Sequence, residues 1–294
     1  MTKRLSVLQV GKYYKPYIGG TENYLYNLVH ELKKDLDVSV VVSNTRPVSQ
    51  TSDDEGINVN KIARFGSIFS LPINITMPFW LKKIEADVLH FHLPNPLSVL
   101  FYLLVKPKGR VIVTYHCDIC RQKVFNPLIN PLIDLFLNNA RKIIVSSPNI
   151  IENSILLRRY KEKCVVISFG IDIERFDPSP EILEKAKTIK NRYGQRLLLF
   201  VGRLVYYKGL EYLIKAMKSI DARLLIIGDG PLSSDLKKLA KKTGVEDKIS
   251  WIGSLKNEDT APYYHACEVF VLPSSDVSEG FGIVQLEAFA CSKP

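Results

Sequence analysis

Cysteine is scarce: Cys117, Cys120, Cys164, Cys267 and Cys291 are odd in number and scattered, which argues against a disulfide framework and for reduced thiols. Cys117-Asp118-Ile119-Cys120 spells a C-x-x-C, but no second pair and no histidine pair of ligand spacing accompanies it, so packing is favoured over redox chemistry or half a zinc site. Long apolar stretches are missing as well. The run Val99 to Val105 is too short to cross a bilayer, and Met1 to Val10 has neither a long apolar core nor a small-residue cleavage site. A cytoplasmic location is expected. Zinc-finger spacing, an RNA-binding aromatic signature, a basic zipper, low-complexity segments and internal repeats are all wanting, which sets nucleic-acid binding aside.

What is present suits two domains with packed cores: 294 residues, 46% of them apolar. The formal charge of +10 points to acidic partners or surroundings, whether nucleic acid, anionic lipid or phosphorylated substrates, without choosing among them. Lys237, Lys238, Lys241 and Lys242 read as a solvated helix face.

Strand and helix alternate along the chain. Leu5 to Val10 reads as a buried strand, Gly19-Gly20 as a turn, and Glu22 to Lys34 as a helix capped by Thr21. Such a turn lets a phosphate or sugar near the backbone, though paired glycines are equally plain loop punctuation. Val38 to Ser43, Ile57 to Ala63 and Asp87 to Phe91 follow as strands. The last runs into His92, and His90 and His92 are expected to point one ring to each side of the sheet, so that at most one reaches a ligand. Arg110 to Tyr115 delivers His116 and Asp118 to the same rim, where His116 can donate to a substrate oxygen and Asp118 can orient it or a hydroxyl. Strands at Lys142 to Ser146 and Lys163 to Ile167, with helices at Pro127 to Asn139 and Asn149 to Tyr160, complete a first α/β domain, residues 1–172.

The prolines of Asp177-Pro178-Ser179-Pro180 mark a linker, residues 173–195, and a second domain begins at Arg196. Leu197 to Val201, Ala222 to Gly228, Ile249 to Ile252 and Glu268 to Leu272 are its strands. Arg203 and Lys208 straddle the loop after the first of these, where both cations can converge on one anion at the start of a helix reaching Lys218. Near the end, Glu279-Gly280-Phe281-Gly282-Ile283-Val284 forms a strand-to-helix turn that offers unpaired N–H groups to an anion. Glu287 lies eight positions after Glu279, about two helical turns down the same side, so both carboxylates can face one ligand.

Taken in order, Gly19-Gly20, Thr114-Tyr115-His116, Phe169-Gly170-Ile171-Asp172, Val201-Gly202-Arg203-Leu204 with Lys208-Gly209, Gly228-Asp229-Gly230-Pro231, and Glu279-Gly280-Phe281-Gly282 with Glu287 resemble the retaining, GT-B-fold glycosyltransferases of family 4. The resemblance spans essentially the whole chain. It implies two Rossmann-like domains facing across a cleft, 196–294 binding a nucleotide-sugar donor, and transfer of a mannose- or glucose-type hexose to a lipid-linked or polysaccharide acceptor. By the same resemblance Arg203 and Lys208 hold the pyrophosphate in place of a divalent metal, so neither metal nor cofactor is expected. Glu287 binds the ribose hydroxyls and Glu279 sits against the transferred sugar. Gly282, Ile283 and Val284 supply amide contacts, Gly19-Gly20 approach the phosphate and His116 touches the sugar.

GDP-mannose is the first donor suggested and UDP-glucose the second. The protein is expected in the cytoplasm, free or peripheral at an anionic inner membrane face. The resemblance also implies that the second domain lacks its last strands and closing helix, leaving the Glu268 to Leu272 strand near an open edge and the chain weakly stable or self-associating. The alternatives are a GT-B sugar-nucleotide epimerase and a non-catalytic sugar-nucleotide-binding remnant.

Overall fold

The structure, a computed structural model, describes residues 4–17, 19–68, 71–118, 126–276 and 279–294. The chain divides into two compact units, Met1–Phe169 and Gly170–Pro294.

In the first unit β1 (Ser6–Val10), α1 (Gly20–Leu32), β2 (Asp37–Ser43), β3 (Gln50–Asp54), β4 (Ile57–Ile62), the short pair β5 (Ser67–Ile68) and β6 (Leu71–Pro72), and α2 (Met77–Lys83) come first. Then come β7 (Val88–Leu93), α3 (Pro96–Val105), β8 (Arg110–Tyr115), α4 (Asn126–Asn139), β9 (Lys142–Val145), α5 (Pro148–Asn153) and β10 (Cys164–Val166). Eight strands form one sheet in the order β10-β9-β8-β7-β1-β2-β4-β3, parallel except where β3 runs against β4. Side chains alternate along each strand, so apolar runs feed both faces. Leu8, Val10, Leu89, Phe91, Val111 and Val113 pack with Leu81 of α2, Val99 of α3 and Phe136 of α4. Val38, Val40, Val42 and Val59 meet Leu25 and Val29 of α1.

The second unit holds α6 (Pro180–Tyr193), β11 (Leu197–Val201), α7 (Leu210–Ala216), β12 (Arg223–Ile227), α8 (Ser233–Thr243), β13 (Ile249–Gly253), α9 (Ala261–Ala266), β14 (Val269–Phe270) and α10 (Val284–Ala290). Its four strands run parallel in the order β13-β12-β11-β14. Leu197, Leu199, Leu225 and Ile227 pack with Ala186, Tyr264 and Ala288, whereas Phe200, Leu224 and Ile226 pack with Leu213 of α7 and Leu236 of α8. Both faces are therefore covered, as the long apolar strands require, and the fold class is the expected α/β one with parallel sheets.

Several local expectations need correction. Thr21 does not cap α1: Gly19 is the capping residue, extended at φ −169° and ψ 161°, and Thr21 lies in the first turn. The Asn149 to Tyr160 helix is broken after Asn153 and resumes as a 3₁₀ turn over Leu157–Lys163. Segment 173–195 is mostly helix: Ser179 Oγ accepts from the Ile182 N–H at 3.3 Å, Pro180 opens α6, Gly194 closes it, and the helix packs on α9. β14 is the outermost strand of its sheet among the described residues, and the Phe270 N–H donates to the Pro294 carbonyl at 2.9 Å. Cys164, Cys267 and Cys291 are free thiols, the last two buried, while Cys120 and Ile18 lie outside the described residues.

Candidate active site

In the second unit the chain leaves β11 for β12 on one side and returns to β14 on the other, so the strand order reverses between β11 and β14. Open parallel sheets bind ligands outside the carboxyl ends of their strands at such a reversal. The loops that leave β11 and β14 carry Arg203 with Lys208 and Glu279 with Gly282. They are pressed together. Gly209 adopts φ +64°, and a Cβ there would stand 1.9 Å from the Pro273 carbonyl oxygen. Ser275 N–H donates to the Tyr207 carbonyl at 3.0 Å.

That closeness brings Lys208 Nζ to 2.6 Å from Glu279 Oε2, with the two side chains only 10% and 18% exposed. Ser274 Oγ donates to the same carboxylate oxygen at 2.9 Å. Charged hydrogen bonds of this kind are short because the ammonium and carboxylate attract in a partly desolvated setting. Lys208 closes a 3₁₀ turn, Tyr206–Lys208, rather than opening a long helix, and α7 begins only at Leu210. Arg203 is exposed and pairs with no carboxylate among the described residues. One cation of the loop is thus committed and the other is open to solvent.

Glu279 and Glu287 do not share a helix face, because α10 starts at Val284 and the helical period does not extend back to Glu279. Glu287 instead accepts a 2.7 Å hydrogen bond from the Tyr264 hydroxyl of α9, and burial pushes its carboxyl above the ordinary value against the pull of Tyr264 and Arg175. Gly282 adopts φ +72°, and its carbonyl accepts from Gln285 N–H at 2.8 Å. The amides of Gly282, Ile283 and Val284 precede the first bond of α10, the set left over at any helix start.

In the first unit the reversal falls between β1 and β7. Here the pattern differs from the one read off the sequence. His90 and His92 lie on the same face of β7, since side chains two apart share a face, and their rings stack with centroids 4.7 Å apart. Gln9 of β1 and Thr114 of β8 join them through the strand register, which sets Gln9 beside His90 and His92 beside Thr114. His90 Nε2 lies 2.8 Å from Thr114 Oγ1, His92 Nε2 2.8 Å from Gln9 Oε1, and His92 Nδ1 3.3 Å from His116 Nε2. Tyr24 of α1 sits edge-on to His116 with centroids 5.2 Å apart, and Phe169 lies 5.4 Å from the same ring. Burial pushes His90 down to about 4 and His116 to about 3, and holds His92 well below its usual range. The rings are neutral at pH 7.

Asp118 stands apart from His116: it accepts from the Tyr115 hydroxyl at 2.5 Å and from Ser154 Oγ at 2.7 Å. At Gly19 and Gly20 the two glycines differ. The Glu22 carboxylate folds back over Gly19, whose Cβ would meet Glu22 Oε2 at 2.2 Å, while a Cβ at Gly20 would meet nothing within 4 Å. Gln9, Tyr24, Ser274 and Tyr264 were not singled out from the sequence. The first two were legible only as a polar and an aromatic residue inside apolar periods, a signal shared with ordinary core positions.

The doubly wound sheet carries its lysine–glutamate pair at the strand reversal, the place where open α/β sheets bind ligands. A family model described as Glycosyltransferase Family 4 matches residues 18–175, and one described as Glycosyl transferases group 1 matches residues 182–294. The chain belongs to this glycosyltransferase family. It is 31% identical over 297 residues to the O-antigen chain mannosyltransferase C of Escherichia coli, covering 99% of this chain and 78% of that one. It is also 31% identical over 294 residues to the D-rhamnosyltransferase WbpZ of Pseudomonas aeruginosa, covering 98% and 76%. Among solved structures, sucrose-phosphate synthase from Thermosynechococcus elongatus matches with a TM-score of 0.82 at 23% identity over 99% of this chain and 80% of that one. The fold is GT-B, and the protein is a glycosyltransferase. No helix among the described residues is long and apolar enough to cross a membrane.

Proposed function

We propose that the chain transfers a mannose- or glucose-type hexosyl group from a nucleoside-diphosphate sugar to a hydroxyl of a lipid-linked or polysaccharide acceptor, with retention of anomeric configuration. The observation that carries this reading is the Lys208–Glu279 pair, 2.6 Å apart where the loops leaving β11 and β14 meet. In this reading Arg203 and Lys208 take the diphosphate and stabilise the charge that grows on it as the glycosidic bond breaks, the largest catalytic contribution for a reaction of this type. Glu279, relieved of Lys208 by the phosphate, faces the transferred sugar. Glu287 accepts from the ribose hydroxyls, Gly282, Ile283 and Val284 offer amides, and Gly19-Gly20 approach the phosphate. His116 meets the sugar.

The mannosyl- and rhamnosyltransferase relatives favour a mannose-type sugar, with GDP-mannose the donor to try first and UDP-glucose the second. Because two side-chain cations serve the leaving group, turnover should survive chelation of divalent metals. The net charge of +10 suits a peripheral position on an anionic membrane that carries the acceptor. A donor screen by nucleoside diphosphate release tests the reading, with Arg203→Ala and Glu279→Ala as controls and the anomeric configuration of the product read by NMR. Release equal in both variants and the unmodified chain, or an inverted product, would sink it.

A further inference from the structure

We infer that Gln9 and His92 are positioning residues that hold His116 with Nε2 protonated and Nδ1 bare, so that His116 accepts a hydrogen bond from a sugar hydroxyl. Three buried groups in one line carry the inference. Gln9 Oε1, 2.8 Å from His92 Nε2, is an amide oxygen and can only accept, so the His92 proton sits on Nε2. A neutral imidazole has one N–H, which leaves His92 Nδ1 as an acceptor. It lies 3.3 Å from His116 Nε2, which must then be the donor. His116 has spent its only proton, and its Nδ1, for which no described residue is a hydrogen-bond partner, presents a lone pair.

Burial keeps these rings neutral, and the groups facing them add no charge. They are Thr114, Tyr24, Phe169 and the imidazoles themselves, with no carboxylate among the described neighbours that perturb them. The orientation of the Gln9 amide decides the order: with Oε1 toward His92, its Nε2 is enclosed without a hydrogen-bond partner among the described residues, whereas an amide turned the other way would donate to His92 and invert every tautomer in the line. An apolar side chain would fill the position without that cost, but it would leave His92 Nε2 without its acceptor.

The tautomer part stands on the strand geometry with Gln9 Oε1 facing His92, while the sugar hydroxyl as ligand rests on the glycosyl-transfer reading. The inference also reverses the direction expected from sequence, in which His116 donates to a substrate oxygen. The test is ¹⁵N-resolved NMR of the full chain at pH 7 without donor. The chain has 5 histidines, and the His116 signals are those lost in His116→Asn. Expected is a single tautomer at His116 with Nε2 protonated, becoming a mixture of both in Gln9→Met, which keeps the side-chain length and removes the acceptor. An Nδ1-protonated His116 in the unmodified chain, or a tautomer unmoved by Gln9→Met, overturns the inference. If Gln9→Met does not fold, the unmodified spectrum decides. Donor turnover in His116→Asn reports separately: full activity there removes the sugar from the proposal and leaves the tautomer measurement intact.

Discussion

The two strand reversals of this chain solve the placement of polar groups among apolar ones in opposite ways. At the first, the imidazoles are buried and kept uncharged, and His90 and His92 pair with Thr114 and Gln9 of the neighbouring strands. At the second, burial is partial and the groups stay charged: Lys208 and Glu279 meet at 2.6 Å and Arg203 is left in solvent. The difference follows from desolvation. A full charge inside a sheet costs several kcal/mol, roughly, unless it is paired, whereas a loop at the sheet's edge keeps enough water to hold a cation ready for an anion. In the proposed function the second arrangement takes the phosphates and the first offers the sugar a neutral contact.

The largest effect is expected from breaking the charged side. Lys208→Ala and Arg203→Ala should each lower donor turnover by on the order of 10²- to 10³-fold, measured as nucleoside diphosphate release. They should part in stability. Arg203→Ala should stay within about 0.5 kcal/mol of the unmodified chain in thermal unfolding, whereas Lys208→Ala strands the half-buried Glu279 and should cost more. Equal melting shifts for the two would remove the contrast.

Acidification sharpens the neutral side. His90 is held at about 4 when folded against 6.5 when unfolded, so below 6.5 the unfolded chain binds protons that the folded one refuses. Stability is therefore lost as pH falls from about 6.5 towards about 4. Glu287 runs the other way: its carboxyl is held above 4.5 when folded, so its contribution is present at low pH and is lost as pH rises through the raised value. Amide hydrogen exchange followed between pH 7 and 5 should show protection of β1, β7 and β8 falling further than that of β11 and β12. A uniform loss would contradict this.

The smallest effect concerns the glycines. Gly209→Ala forces a Cβ into the Pro273 carbonyl, whereas Gly20→Ala meets open space at the first position of α1. Thermal unfolding should register Gly20→Ala as neutral or stabilising by up to about 1 kcal/mol, and Gly209→Ala as plainly destabilising. A destabilising Gly20→Ala would show that the turn is tighter than described.

Much of the fold was legible because the buried strands are continuous apolar runs: Arg110–Tyr115 and Leu197–Val201 are observed at the limits read from sequence. β3 escaped because Gln50–Asp54 is polar throughout and pairs only on the outer edge. α6 was hidden by the prolines before it, although Ser179, Pro180 and Gly194 spell its start and stop. In the site, Arg203, Lys208 and Glu279 stood out as charges beside glycines. Gln9 and Tyr24 did not, since a polar or aromatic residue in an apolar period gives no sign of what it will face.

Sequence alone determined the alternation of elements, the class of fold and the residues that carry charge, because these rest on local periodicity and side-chain chemistry. Tertiary structure decided that Lys208 is bound to Glu279, that Glu287 is turned to Tyr264, and that three histidines form a neutral ladder ending at His116. Those outcomes depend on which strands lie side by side and how deeply they are buried, and strand order and burial are properties of the packed chain, not of any stretch of it.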